Sequence, residues 1–156
     1  MDAGAPLPHV LSNGRRAVVL FHAGLEPDPD WDGTTVTVID PSDQFARNVS
    51  WVRFDNVVAS LFGPPNDEAL HGHPLWGRGL EFYAFHRVED SGWIADLMKR
   101  NRVHPSHQDD VWDLLQHFVI TFHDETFEVL AESFEVGTRF VDFETAIVDL
   151  ARELLT

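Results

Sequence analysis

Apolar runs, either continuous or alternating with polar residues, predict most of the strands in this chain. RRAVVLFHAG contains a continuous apolar run, and TTVTVID alternates and is rich in β-branched residues. VSWVRFDNVVASLFG predicts one or two further strands with a break near Asp55 and Asn56, and GLEFYAFHRVE alternates again. The predicted strands cover residues 15–22, 34–40, 49–63 and 79–89, followed by a hairpin over 117–136.

Helical spacing of apolar residues predicts three helices, each preceded by a polar residue that can cap it. In DSGWIADLMKRN, the cap is Ser91 or Asp90. SHQDDVWDLLQ opens with Ser106 and Asp109, spaced as in a capping box. In DFETAIVDLARELL, Asp142 precedes an apolar face of helical period.

The order of these elements predicts the fold class. Consecutive strands with short connections favour an α+β fold, in which a curved and mainly antiparallel sheet is covered by helices. We expect about six strands, in a sheet that is open or barrel-like, and about three helices. Residues 1–13 have little pattern and are predicted to be a flexible lead-in, whereas 14–156 are predicted to form a single α+β domain.

Composition and charge limit the class of protein. Apolar residues make up 44% of the 156-residue chain, which is enough for a substantial core. The formal net charge of −15 argues against nucleic acid and anionic membranes as partners, because both attract Lys and Arg. The absence of cysteine excludes disulfides, thiolate metal ligands and cysteine nucleophiles. No signal peptide or long apolar segment is visible, so a cytoplasmic protein is expected.

The segment HFVITFHDETFE, residues 117–128, carries the candidate acid–base chemistry. If Glu125 and Thr126 form the turn, His123 lies directly opposite Glu128 on the polar face of a hairpin. A carboxylate in that position orients an imidazole and favours its protonated form, which suits general acid or base catalysis. We therefore predict His123 as the catalytic histidine, with Glu128 or Asp124 as the carboxylate that orients it.

The same hairpin also has a purely structural interpretation. A histidine opposite a glutamate is an ordinary cross-strand pair that contributes about 0.2–1 kcal/mol. The opposite face of the hairpin is predicted to be core. Its residues are Phe118, Ile120, Phe122, Phe127, Val129 and Ala131.

The segment HGHPLWGRGLE predicts a Gly- and Pro-rich loop at the rim of a pocket. His71 and His73 are two residues apart and point the same way if the chain is extended. Trp76 offers a flat apolar wall, and Arg78 a guanidinium that can hold an anion. Together with Tyr83, these residues are the predicted substrate-binding set, although an ordinary surface loop is the alternative. Because no H-E-x-x-H or compact two-histidine, one-carboxylate signature is present, no metal and no cofactor are predicted.

The acidic segment DPDWDG, residues 28–33, matches a calcium loop only in part. Its oxygen ligands and glycine match the opening of an EF-hand loop, but Ile39 stands where that loop requires a bidentate glutamate. We predict an acidic hairpin turn there instead.

Two classes of function remain open from the sequence. The first is a cofactor-free acid/base enzyme that catalyses hydrolysis, isomerisation, elimination or cyclisation of a small polar molecule in a histidine- and carboxylate-lined pocket. The second is a non-enzymatic acidic protein, such as an immunity protein, inhibitor or regulatory module, that binds a basic protein partner through its negative charge.

Overall fold

The structure, a computed structural model, describes residues 6–24 and 44–156. The predicted strand over 34–40 and the predicted acidic turn over 28–33 lie outside these ranges. The elements follow the chain in the order β1 (His9–Ser12), β2 (Arg16–His22), β3 (Arg47–Asp55), β4 (Ala59–Gly63), β5 (Phe85–Val88), α1 (Gly92–Asn101), β6 (Gln116–Thr121), β7 (Thr126–Ala131), β8 (Ser133–Val141) and α2 (Phe143–Leu154). Short 3-10 helices occupy Leu70–Gly72 and Asp109–Leu114.

The strands form two four-stranded antiparallel sheets. Sheet 1 has the order β1-β2-β3-β8, and sheet 2 has the order β4-β7-β6-β5. The predicted α+β class with antiparallel strands is confirmed. The prediction of one curved sheet of about six strands is wrong, since the described residues form eight strands in two sheets and no closed barrel. Two sheets form because the chain passes from one sheet to the other twice, between β3 and β4 and between β7 and β8.

An aromatic core holds the inner faces of the two sheets together. Phe54 of sheet 1 is fully buried, with ring centroids 5.5 Å from Phe118 and 5.8 Å from Phe127 of sheet 2. Removing a ring from such a core typically costs about 3–5 kcal/mol. The remaining buried members of this core are Ala17, Val19, Phe21, Val52, Ile120, Phe122, Val129 and Ala131.

The chain crosses between the sheets at a corner where β3 leads into β4 and β7 leads into β8. Asn56 adopts a left-handed conformation with φ of 52°, and its side-chain amide donates to Glu132 at 2.7 Å. Backbone bonds from Glu132 to Asp55 and from Val58 to Leu130 close the same corner. The predicted break near Asp55 and Asn56 is therefore this change of sheet.

Each sheet is covered on its outer face by a different part of the chain. Helix α2, capped by Asp142 as predicted, buries its apolar side against sheet 1. This explains the continuous apolar run of residues 17–21 within β2, since that run contributes to a core on both faces. On sheet 2, Leu70 and Leu80 pack against Val119 of β6. The segment between them therefore lies over the outer face of sheet 2.

Three local elements differ from the sequence predictions. His9–Ser12 forms β1, although no regular structure was expected before residue 14, because its backbone pairs with β2. Strand β5 covers only Phe85–Val88 of the predicted 79–89, because Tyr83 turns the chain with φ of 53°. The predicted second helix is a 3-10 helix whose N-cap is Gln108, with no capping hydrogen bond from a side chain. Among the described residues, no helix is long and apolar enough to cross a membrane.

The hairpin register differs from the predicted one. Thr121 pairs with Thr126, so the loop contains four residues, and the residue opposite Glu128 is Val119. The predicted pairing of His123 with Glu128 is therefore wrong. The observed partner of Glu128, Val119, is an even number of residues away from the predicted partner, His123. Each side chain of the hairpin therefore stays on its predicted face, either the core face or the polar face.

The packing of Trp51 on Gly137 gives a test of the β3–β8 pair. A Cβ atom at Gly137 would overlap the Trp51 indole directly. Gly137→Ala should therefore lower the free energy of unfolding by about 1–3 kcal/mol. Urea denaturation measures this, with Gly72→Ala as the control because a Cβ there meets open space. Equal stability of the two variants would contradict the packing.

Candidate functional site

One carboxylate joins two buried histidines on the outer face of sheet 2. The Glu128 Oε1 atom lies 3.1 Å from Nε2 of His73, and its Oε2 atom lies 3.0 Å from Nε2 of His117. The side chains of His73, His117 and Glu128 are 3%, 5% and 19% exposed. Such short contacts away from bulk water are stronger and better oriented than surface ion pairs.

The strands place two of these three residues. Glu128 on β7 lies opposite Val119 on β6, and His117 is two residues before Val119, so its side chain emerges on the same face. The contact between Glu128 and His117 is thus a diagonal cross-strand pair.

His73 reaches the carboxylate from the segment that covers sheet 2. It directly follows the 3-10 helix Leu70–Gly72, and its backbone N–H donates to the Leu70 carbonyl. Because Leu70 and Leu80 pack on Val119, this segment is anchored above the strand position opposite Glu128. The apolar packing of Leu70 and Leu80 on Val119 therefore places His73 beside Glu128.

Hydrogen bonding identifies the tautomer of His73. The Leu75 backbone N–H donates to Nδ1 of His73 at 3.1 Å, so Nδ1 must carry a lone pair. The ring hydrogen is then on Nε2, which donates to Glu128. Both nitrogens of this buried ring have a partner.

His117 links the carboxylate to a serine. Its Nδ1 atom lies 2.9 Å from Oγ of Ser91, the residue that caps α1. Since ionised Glu128 can only accept, Nε2 of His117 carries a hydrogen. In the neutral imidazole, Nδ1 then accepts the Ser91 hydroxyl hydrogen. Ser91 Oγ also accepts the Ile94 backbone N–H at 3.3 Å.

The two imidazoles control the charge of Glu128. Burial opposes ionisation of the carboxyl, but the hydrogen bonds from His117 and His73 outweigh it and hold the pKa of Glu128 below its usual value. The site therefore holds a carboxylate at neutral pH.

A pocket with a volume of about 620 Å³ opens onto this cluster. Its polar lining includes all four residues of the hydrogen-bonded chain together with Arg78 and His86, and Trp93 supplies an aromatic wall. The Trp93 ring stands edge-on to His117, with centroids 5.3 Å apart. The pocket therefore combines an apolar wall with convergent polar groups.

The donor set does not suit a metal ion. In the hydrogen-bonded arrangement, Nε2 of His73 presents a hydrogen to Glu128, whereas a metal ligand must present a lone pair. Among the described residues, no cluster of three or more His, Asp or Glu side chains has the geometry to hold a metal.

Other predicted site residues gather elsewhere, around Asp67. Tyr83 donates to Asp67 Oδ2 at 2.5 Å, and His123 lies 3.8 Å from the same oxygen and 3.0 Å from Asp124. The hydrogen bond to Asp124 raises the pKa of His123, and the bond from Tyr83 lowers the pKa of Asp67. The His123 side chain is 42% exposed and is not part of the Glu128 pocket.

Of the remaining predicted substrate-binding residues, two line the pocket and two do not. His73 and Arg78 line the pocket, whereas His71 and Trp76 are exposed and do not line it. Trp76 instead packs edge-on against Phe82, with centroids 5.6 Å apart. Gly77 and Gly79, with φ of 79° and 97°, form the turn that presents Arg78.

Sequence reasoning did not select His117 or Ser91 for the site. By strand alternation, His117 lies on the same predicted face of the hairpin as His123 and Glu128, and this was the available signal. Ser91 was predicted only as one of two candidate helix caps, with Asp90 as the other, and the structure shows that Ser91 is the cap. Its contact with His117 depends on how α1 packs against β6, which no local pattern reveals.

The chain was compared with models of known protein families, with curated protein sequences and with solved structures, and none of them matches it.

The charge of Glu128 gives a pH-dependent test. The pKa of Glu128 is lower in the folded chain, so its ionised form stabilises the fold above the unfolded-state pKa. This stabilisation is lost as the pH falls through the folded-state pKa. Urea unfolding should therefore show Glu128→Gln to be less stable than the unmodified chain at neutral pH, with the difference shrinking in acid. Exposed Glu68→Gln is the control; a deficit for Glu128→Gln that is constant with pH would contradict the assignment.

Proposed function

We propose that the protein is a cofactor-free acid/base enzyme acting on a small polar molecule in the pocket over sheet 2. The reaction class comprises hydrolysis, isomerisation, elimination and cyclisation. The observation that supports this most strongly is the chain from Glu128 through His117 to Ser91, which opens into the pocket.

In this proposal, His117 accepts and returns the proton that is transferred in the reaction, and Glu128 orients the His117 imidazole. The hydrogen bond between Glu128 and Nε2 fixes the imidazole so that Nδ1 presents a lone pair towards the pocket side, where Ser91 lies. The carboxylate then stabilises the imidazolium that forms. His73 donates to the other carboxylate oxygen and keeps the Glu128 side chain in place.

The pocket also has features that suit recognition of a substrate. Arg78 forms no ion pair among the described residues, so its guanidinium is available to an anionic group of the substrate. Trp93 and Leu80 provide apolar surface for the rest of the molecule.

The alternative function, an acidic protein that binds a basic partner, is supported by the net charge of −15. A concave site with a convergent histidine–carboxylate cluster supports the enzyme instead, because a docking face for a basic protein needs neither feature.

Turnover of a substrate panel tests the proposal. The panel contains 4-nitrophenyl acetate, 4-nitrophenyl butyrate and dihydrocoumarin, which are two open-chain esters and a lactone. His117→Ala and Glu128→Gln should each lower kcat/KM about 100-fold or more for the substrate that is turned over. His123→Ala is the matched control, since His123 is a histidine of the same hairpin outside the pocket, and it should retain activity. Equal activity of His117→Ala and the unmodified chain would overturn the proposal.

A further inference from the structure

We infer that Ser91 is a nucleophile and that the reaction is hydrolysis of a carboxylic ester through an acyl-serine intermediate. This inference rests on the proposed function and narrows it to one reaction class. It starts from the order of contacts: a serine hydroxyl on Nδ1 of His117, and a carboxylate on Nε2 of the same ring. A nucleophile, a base and a group that orients the base are the three parts that serine activation requires.

The arrangement uses the two imidazole nitrogens in the opposite sense to the usual serine triad. There, Nε2 faces the serine and Nδ1 faces the carboxylate. Here Nδ1 of His117 faces Ser91 at 2.9 Å and Nε2 faces Glu128 at 3.0 Å. The chemistry is equivalent, because each nitrogen of a neutral imidazole can be the acceptor while the other donates.

The position of Ser91 suits attack on a bound molecule. It is partly exposed and lines the pocket, whereas His117 behind it is almost fully buried. Ser91 is thus the more accessible of the two residues that line the pocket. The long 3.3 Å contact from the Ile94 N–H occupies only one lone pair of that oxygen.

The start of α1 supplies groups that can stabilise an oxyanion. The backbone N–H groups of Gly92 and Trp93 lie before Ala95, whose N–H makes the first bond of the helix to the Ser91 carbonyl, and they have no intrahelical partner. Gly92 follows the nucleophile directly, the position from which many acyl-transfer enzymes donate to the oxyanion. The positive end of the helix dipole favours the same charge.

The reaction balances with water as the second substrate. The Ser91 oxygen attacks the ester carbonyl carbon while its proton passes to Nδ1 of His117, and the carbonyl electrons form the oxyanion. As that oxyanion collapses, the carbon–oxygen bond to the alcohol breaks and the alcohol takes the proton from His117. Water then attacks the acyl-serine and gives its proton to His117. The serine oxygen leaves with that proton, which releases the carboxylic acid.

The test is acylation of Ser91 in the full chain. With 4-nitrophenyl acetate, intact-mass and peptide mass spectrometry should detect one acetyl group, located on Ser91. A fluorophosphonate, which forms a stable adduct with activated serines, should label the same peptide. His117→Ala should slow both reactions about 1,000-fold. Absence of both adducts would overturn the inference.

Two variants separate the nucleophile from the helix cap. Asn is as good an N-cap as Ser, so Ser91→Asn keeps the cap but removes the hydroxyl. We expect it to remain folded by circular dichroism and to lose ester turnover about 1,000-fold. Exposed Ser60→Ala, outside the pocket, is the control and should be labelled at Ser91 as before.

The outcomes distinguish this inference from the proposed function. If Ser91→Asn hydrolysed the ester at the original rate while His117→Ala did not, His117 would be activating water directly. A nucleophilic role for Ser91 would then be excluded, whereas the acid/base function of His117 would be retained. If neither variant changed the rate of ester hydrolysis, both the nucleophilic role of Ser91 and the proposed acid/base function would be excluded.

Discussion

The outer face of sheet 2 is organised by one carboxylate that accepts hydrogen bonds from two buried imidazoles. Each imidazole needs an acceptor for its Nε2 hydrogen, because an unsatisfied donor in the interior costs about 1–3 kcal/mol. Glu128 meets both needs at once. It thereby connects β7, β6 and the segment over the sheet, and through Ser91 it also connects α1. Four separate parts of the chain therefore meet at this group, directly or through one hydrogen-bonded neighbour.

The sheet sandwich makes this arrangement possible. β6 and β7 each direct alternate residues into the aromatic core, and that core fixes which way every other side chain points. His117 and Glu128 must therefore lie on the outer face. Apolar packing of Leu70 and Leu80 on Val119 covers that face and brings His73 with it. The polar cluster is thus held in place by hydrophobic contacts on both sides of the sheet.

Local pattern was sufficient to predict the parts of the structure that depend on one element at a time. The core face of the hairpin, the cap at Asp142 and the interruption at Asp55 follow from periodicity and side-chain chemistry, and the structure confirms them. Of the two caps predicted for α1, Ser91 and Asp90, the structure has Ser91. Glu128 was also predicted from the hairpin alone to contact a histidine. The identity of its histidine partner was not, because the turn contains four residues and moves His123 beyond the reach of Glu128.

The rest of the site depends on tertiary packing that leaves no local signal. The loop with His73 and Arg78 was predicted to border a pocket together with Tyr83 and His123, but the chain turns at Tyr83 and takes these two residues to Asp67 instead. The contact between Ser91 and His117 joins residues 26 positions apart. Such a contact is fixed only when α1 has packed beside β6.

The hydrogen positions on the two imidazoles show whether Glu128 accepts a hydrogen bond from each ring. Long-range proton–nitrogen NMR correlations of labelled histidine identify which ring nitrogen carries a hydrogen. In the folded chain near neutral pH, His73 should carry its hydrogen on Nε2 and a lone pair on Nδ1, and Glu128→Gln should perturb both His73 and His117 while leaving His123 unchanged. A hydrogen on Nδ1 of His73, or no response of either ring to that substitution, would contradict the account.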